Sequence, residues 1–333
     1  MYSRTRWMLA FTFLLLVLLF FTLVALSIGP SGGSLVETVR LLLRGEGDAA
    51  YERVVIEIRL PRVLLALFAG ISLAISGTAF QGVLRNPLAD PYVLGVSSGA
   101  AFGASMAIVL KWPSTFSLPL FAFTGAVGTI FLVYSLAAFN GRIPSDVLLL
   151  SGVVVSAFFA SLLMLVMAVS GRELHQIVYL LMGSLGTIPS KETIPLLLAL
   201  LLVSLLCCGG IYLLARDLNL LSLGEEEAHH LGVEVESLKK TVFVIASLAV
   251  GSTVALCGAI GFVGLVVPHI ARLVVGPDHR VLIPASAAIG GSLLLIADTI
   301  ARTVSPFEIP VGVITAVFGV PFFIWLLRRR RRG

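Results

Sequence analysis

The sequence predicts an all-α, polytopic membrane protein with about ten transmembrane helices in a single domain over residues 1–333. Hydrophobic residues make up 58% of the chain and charged residues only 12%, whereas soluble domains carry about a quarter charged residues. Apolar runs near the length that crosses a bilayer recur from one end to the other. The longest polar stretches, residues 31–62 and 216–240, are shorter than an ordinary soluble domain.

Ten apolar segments account for the predicted spans. They are residues 8–28, 63–84, 92–110, 116–139, 147–169, 193–215, 240–258, 260–275, 281–300 and 309–327. The first follows Arg4 and Arg6 and is longer than the apolar core of a signal peptide, so we expect an uncleaved helix.

The seventh and eighth spans share one apolar stretch from Thr241 to Gly276, which is too long for one helix and short for two. Gly258, Gly261, Gly264 and Pro268 predict a break and a short second helix inside this stretch.

Charge placement favours ten spans over nine. With ten spans, 14 of the 23 Lys and Arg residues lie on the side of both termini, including the cluster Arg328–Arg332. The positive-inside rule then predicts that both termini are cytoplasmic.

A weak internal repeat agrees with this layout. At a shift of 181 residues, five positions carry the same residue type: Gly70, Ala74, Gly77, Pro87 and Gly95 match Gly251, Ala255, Gly258, Pro268 and Gly276. An odd number of helices separates the copies, which predicts two inverted five-helix halves.

The second span is unusually rich in small and polar residues, among them Gly70, Ser72 and Gly77. Such residues inside a membrane span indicate close helix packing or a water-filled path. The span begins with Arg59-Leu60-Pro61-Arg62. Two arginines there indicate either interfacial anchoring or docking of an acidic partner surface.

The polar stretch Ala215–Lys240 reads ARDLNLLSLGEEEAHHLGVEVESLKK. Two short helices joined by a glycine turn fit this pattern. Such a segment either presents a contact surface to another protein or is a solvated run of charges.

Other functional classes lack their usual signals. The sequence has no Gly-Lys dipeptide and therefore no P-loop for ATP. The five histidines show no zinc-binding spacing, so neither a metal site nor a catalytic residue is predicted. An ion-coupled secondary transporter usually has carboxylates at mid-membrane. The main carboxylate in a span is Asp298, one turn before Arg302, and we expect the two to pair. An ion-coupled secondary transporter and an intramembrane enzyme remain as alternatives.

Four segments together resemble a known family: RLPR (59–62), SGTAFQGVLRNPLADPYVLGVSSGA (76–100), LGEEEAHHLG (223–232), and GAIGFVGLVVPHIARLVVGPDHRVLIP (258–284) with IPVGVITAVFGVPFFIWLL (309–327). The chain resembles the FecCD-like permease subunits of type II ABC importers for iron–siderophore complexes, haem and vitamin B12. Residues 226–232 also resemble the EAA…G motif of importer permeases, with Glu227 in place of the first alanine.

The resemblance implies a permease in a prokaryotic cytoplasmic membrane. It pairs with a second copy of itself or a related permease, with two ATPase subunits that use ATP and Mg, and with an extracytoplasmic binding protein. No cofactor and no nucleic acid would bind this chain. Alternating access would carry an iron chelate, haem or cobalamin, and the sequence leaves the choice among them open.

The resemblance also assigns residues to three tasks. Arg59, Arg62 and Arg302 would dock the binding protein. The ATPase would receive a coupling loop within about residues 216–240, namely Gly224, Glu225, Glu226, Glu227, Ala228, His229, His230, Leu231 and Gly232. Asn86, Leu88 and Ser145 would form a cytoplasmic gate.

Overall fold

The computed structural model describes residues 4–30, 32–92, 94–112, 116–139, 142–186, 194–305 and 307–330. These residues form an α-helical bundle. The helices are α1 (Arg4–Ser27), α2 (Leu35–Arg44), α3 (Ala49–Arg53), α4 (Leu60–Val83), α5 (Val96–Val109), α6 (Ser117–Ala137), α7 (Ser145–Val169), α8 (Leu174–Leu181), α9 (Ile194–Leu213), α10 (Ala215–Leu221), α11 (Glu225–His230), α12 (Val235–Cys257), α13 (Val263–Val275), α14 (His279–Thr303) and α15 (Val311–Arg330).

Ten of these helices match the predicted spans. Within the described ranges, seven are long and apolar enough to cross a bilayer, namely α1, α4, α6, α7, α9, α12 and α14. Three shorter apolar helices, α5, α13 and α15, supply the others. The prediction of an all-α membrane protein with about ten spans is confirmed.

The first long polar stretch contains two helices, α2 and α3, which its polar composition did not indicate. Ser34 caps α2, because its hydroxyl accepts a hydrogen bond from the Glu37 amide at 3.1 Å. Helix α3 runs through a π-helical turn, Val54–Arg59, directly into α4. This turn ends just before Pro61, which has no N–H to continue the regular α-helical hydrogen bonds.

The central helix of each half packs against helices of the other half. Helix α4 of the first half packs against α13 and α14 of the second, while α12 packs against α5 and α6. Helices α4 and α12 meet at the centre, where the hydroxyl groups of Ser72 and Thr253 lie 2.9 Å apart. This reciprocal pattern is what two inverted five-helix halves produce.

Glycines bring the backbones of the central helices into contact. A Cβ atom at Gly77 would lie 2.0 Å from the Gly264 carbonyl oxygen, and one at Gly70 would lie 2.3 Å from the Gly290 carbonyl oxygen. The small residues of the second span therefore serve close packing of α4 against α13 and α14, one of the two roles the sequence left open.

The seventh and eighth spans are separated as predicted, because α12 ends at Cys257 and α13 begins at Val263. Gly258 occupies the left-handed region at φ +68°, which favours glycine. The segment before α5 also enters the bundle deeply, and Pro91 packs on Gly264. Non-helical backbone at this depth is tolerated because protein surrounds it, and it makes the corresponding helices α5 and α13 short.

Candidate functional site

Two polar clusters lie at opposite ends of the bundle. One surrounds α10 and α11, on the side of the loops that begin after α4, α6 and α13. We call residues 214–234 the coupling segment and this side the inner side. The other cluster surrounds Arg59, Arg62 and Arg302 on the outer side.

The coupling segment consists of two short helices joined through Gly224, as its pattern indicated. Gly224 has φ +148° and Gly232 has φ +86°, so the glycines that flank α11 both adopt backbone conformations that side chains disfavour. Ala228 is fully buried and holds α11 against the bundle. The remaining face is exposed and carries Leu223, Glu226, Glu227, His229, His230 and Leu231.

Asn219 anchors the coupling segment to the start of α14. Its amide nitrogen donates to Asp278 Oδ1 at 2.6 Å. Its amide oxygen accepts from the His279 backbone N–H at 2.8 Å and lies 2.9 Å from His279 Nδ1. One side chain of α10 therefore holds the backbone and side chains at the first turn of α14.

Lys239 forms a second anchor. Its ammonium group is buried and lies 2.8 Å from Glu225 Oε2, 3.2 Å from the Ile143 carbonyl oxygen and 3.5 Å from Glu236 Oε1. Glu236 Oε2 also accepts the Ile143 backbone N–H at 2.6 Å. Lys239 thus joins α11, α12 and the residue two positions before α7.

Asn219, Glu236 and Lys239 carry no motif, and the sequence reading missed them. A signal for Lys239 does exist: it shares the apolar face of α12 with Val235, Leu238 and Val242, all of which are buried. A lysine in such a register needs a partner, because unpaired charge is costly to bury.

The three gate candidates lie on the inner side. Asn86 follows α4, and its side-chain oxygen accepts the Leu88 amide at 2.9 Å, forming an Asx turn. Leu88 is exposed, and Ser145 is the first residue of α7. Burial raises the pKa of the neighbouring Asp90 to about 6, although its carboxylate accepts the Tyr92 amide at 2.8 Å.

On the outer side, Arg59 and Arg302 are buried and hold the carboxyl end of α1. Arg59 Nη1 donates to the carbonyl oxygens of Leu26 at 2.9 Å and Ser27 at 2.7 Å. Arg302 Nη2 donates to the Ala25 carbonyl oxygen. Both guanidinium groups therefore satisfy carbonyl groups that the last turn of a helix leaves unpaired.

Arg62 lies closer to the surface, with 13% of its side chain exposed. Its Nε donates to Asp298 Oδ1 and its Nη1 to Glu308 Oε1, both at 2.8 Å. Asp298 is completely buried, and its second oxygen lies 3.4 Å from Arg302 Nε. The predicted pair of Asp298 and Arg302 is present, and Arg62 is the closer partner.

The described ranges contain no group of three or more His, Cys, Asp or Glu residues placed to hold a metal ion. The cysteines Cys207, Cys208 and Cys257 are buried and not disulfide-bonded. In the described ranges, the two clusters of ion pairs and helix anchors lie at the ends of the bundle, and the hydroxyl groups of Ser72, Ser204 and Thr253 meet at its centre.

Ten apolar helices in two inverted halves are an arrangement found in many membrane transport proteins. The model of the FecCD transport family matches residues 15–329, and the chain belongs to this family. The family predicted from the sequence is confirmed.

Two relatives and one solved structure are consistent with this family. The chain is 47% identical over 273 residues to the cobalamin import system permease protein BtuC of Halobacterium salinarum, which covers 82% of this chain and 73% of the relative. It is 41% identical over 327 residues to the hemin transport system permease protein HmuU of Yersinia pestis, with 96% of both chains covered. A solved structure of an inward-facing metal-chelate type ABC transporter superposes with a TM-score of 0.84 at 35% identity, covering 96% of this chain and 98% of the other.

Proposed function

We propose that this chain is the permease subunit of an ABC importer that moves an iron chelate, haem or cobalamin into the cytoplasm. Two copies would enclose the path, an extracytoplasmic binding protein would deliver the substrate, and separate ATPase subunits would hydrolyse ATP with Mg. One relative is named for hemin transport and another for cobalamin import, and the solved structure is named a metal-chelate type ABC transporter. The chain would lie in a prokaryotic cytoplasmic membrane with both termini cytoplasmic.

The observation that carries this proposal is the form of the coupling segment. It is held to the bundle through Asn219, Ala228 and Glu225, while its opposite face is exposed. That face combines two leucines with acidic and histidine side chains. A firmly anchored helix with a mixed apolar and charged face suits a partner that must move the helix rather than only bind it.

The test is copurification of an ATP-binding cassette subunit with the tagged permease from membranes of its own host. The variant replaces residues 224–232 with a Gly/Ser linker, and we expect the ATPase subunit to be lost. Leu43→Ser is the control, because it removes an exposed leucine from α2 on the outer side, away from the coupling segment. An ATPase subunit retained by the linker variant would contradict the assignment.

We also propose that the outer arginine cluster docks the binding protein. Arg62 would meet its carboxylates directly, in exchange with the half-exposed Glu308, while Arg59 and Arg302 would fix the outer end of α1 beside it. Bidentate pairing makes guanidinium groups effective at such contacts. Arg62→Glu should weaken docking more than Asp298→Asn, which breaks the same buried pair without reversing the surface charge. Surface plasmon resonance with the binding protein of the same system measures both. Unchanged affinity would exclude Arg62 from the interface.

The inner end of the path would also need a gate. Asn86 and Leu88, in the turn after α4, and Ser145, at the start of α7, would close the inner end of the path. The exposure of Leu88 supports this role, since an apolar side chain at a constriction excludes water. Leu88→Ser should raise passive leakage of substrate from proteoliposomes, and unchanged leakage would argue against a gate there.

A further inference from the structure

Lys239 connects α11, α12 and the segment before α7, and no sequence motif links these three elements. Its ammonium group contacts Glu225 in α11, Glu236 in α12 and the carbonyl group of Ile143 before α7. The lysine side chain is only 3% exposed, whereas the two carboxylates are about 40% exposed. The cation is therefore the fixed centre of the cluster, and the carboxylates form its solvent-facing part.

Glu236 and Lys239 together hold both backbone polar groups of Ile143. Glu236 accepts the Ile143 N–H at 2.6 Å, and Lys239 donates to the Ile143 carbonyl oxygen at 3.2 Å. The Ile143 side chain is itself buried. Pro144 follows at once and Ser145 begins α7, so the start of α7 is attached closely to the first turn of α12.

The third contact leads to the coupling segment. Glu225 is the first residue of α11, and its carboxylate lies 2.8 Å from the Lys239 ammonium group. A displacement of α11 therefore acts on Lys239 through a short charge-assisted bond, and on Ile143 through the same ammonium group. Chains of hydrogen bonds and ion pairs of this kind can carry energetic coupling between distant sites.

We infer that Lys239 is a positioning residue that transmits movement of α11 to the start of α7. The inference rests on the proposed function, because it requires that an ATPase moves α11. It adds a route from the coupling segment to the segment that carries Ser145, and it assigns that route to a buried cation and the two carboxylates that contact it.

The experiment uses the whole complex of permease and ATPase in lipid nanodiscs. Asp146→Cys, at an exposed position in a background free of the three native cysteines, reports on the start of α7. Its reaction rate with a charged maleimide is measured without nucleotide and with ATP plus vanadate. We expect a several-fold difference between the two states in the complex with Lys239 intact.

Lys239→Met should abolish this difference while the ATPase subunit still copurifies, and Lys239→Arg should restore it, because arginine keeps the charge and donors. Lys240→Met is the matched control: Lys240 is exposed, and its ammonium group lies over the Tyr134 ring. Glu225→Ala removes only the contact to α11 and serves if Lys239→Met fails to fold; it should also abolish the difference.

A nucleotide-dependent difference that persists in Lys239→Met or Glu225→Ala would overturn the inference. Loss of the ATPase subunit from a folded Lys239→Met permease would overturn it as well, since Lys239 would then support binding and not transmission. If the intact complex binds no ATPase, or shows no difference, the proposed function fails first, and this outcome is distinct from the others.

Discussion

Arg62 Nε lies 2.8 Å from Asp298 Oδ1, and this ion pair joins α4 to α14 at the outer end of the bundle. Asp298 is completely buried, and Arg302 approaches its other oxygen. Charges removed from water are stable only when partners compensate them. The pair therefore fixes two central helices of opposite halves to each other.

Asp298→Asn should destabilise the protein, by about 3–5 kcal/mol, because it leaves the guanidinium groups of Arg62 and Arg302 without their shared carboxylate. Thermal unfolding in detergent measures the change. Glu308→Gln is the control, since its carboxylate is 45% exposed and exposed pairs contribute below about 1 kcal/mol. Equal effects of the two substitutions would contradict this assignment of the buried pair.

Gly77→Ala should prevent close packing of α4 on α13, since the new Cβ would meet the Gly264 carbonyl oxygen at 2.0 Å. Overpacking of this kind costs roughly 1–3 kcal/mol or more. Gly209→Ala in α9 has open space at the same atom and should stabilise its helix by about 0.5–1 kcal/mol. Folded yield by size-exclusion chromatography distinguishes them, and similar yields would refute the close contact.

Arg59→Lys should loosen the carboxyl end of α1, because lysine lacks the fork of donors that reaches the Leu26 and Ser27 carbonyl oxygens together. Hydrogen exchange should become faster over residues 22–30. Arg62→Lys should leave this segment protected, since Arg62 contacts Asp298 in α14 and Glu308 rather than α1. Equal protection in both variants would show that Arg59 does not hold α1.

Asp90 should make stability depend on pH. Burial raises the pKa of its carboxyl group from 3.8 to about 6 in the folded protein. The stabilisation from the protonated form is complete below about pH 4 and is lost as pH rises through 6. The free energy of unfolding of Asp90→Asn should therefore equal that of the parent protein at pH 4 and exceed it at pH 7 by on the order of 1–3 kcal/mol. A parent protein more stable than the variant at pH 7 would reveal a stabilising partner for the ionised carboxylate.

The spans could be predicted from the sequence because each depends on local composition and length. The break near Gly258 was predictable for the same reason, since glycine and proline act locally. Helices α2 and α3 were not predicted because the segment is polar overall, although α2 has one apolar face and Ser34 caps its start. Helical periodicity over residues 35–44 was the available signal.

The polar clusters could not be predicted from the sequence in the same way, because their residues are far apart in the chain. Lys239 meets Ile143 across 96 positions, and Arg62 meets Asp298 across 236. Sequence reasoning paired Asp298 with Arg302 because they are one helical turn apart, and that contact is the longer one. Which carbonyl groups Arg59 would satisfy depends on where α1 ends in space, and no local pattern encodes this.

Substrate uptake into proteoliposomes tests the central claim most directly. The permease, its ATPase and its binding protein are reconstituted, and uptake of cyanocobalamin, haem and a ferric siderophore is followed with and without enclosed ATP. An importer permease predicts that uptake of one of these compounds requires ATP and survives ionophores that collapse proton and sodium gradients. Uptake that needs no ATP and stops with the ionophores would contradict the account and identify an ion-coupled transporter.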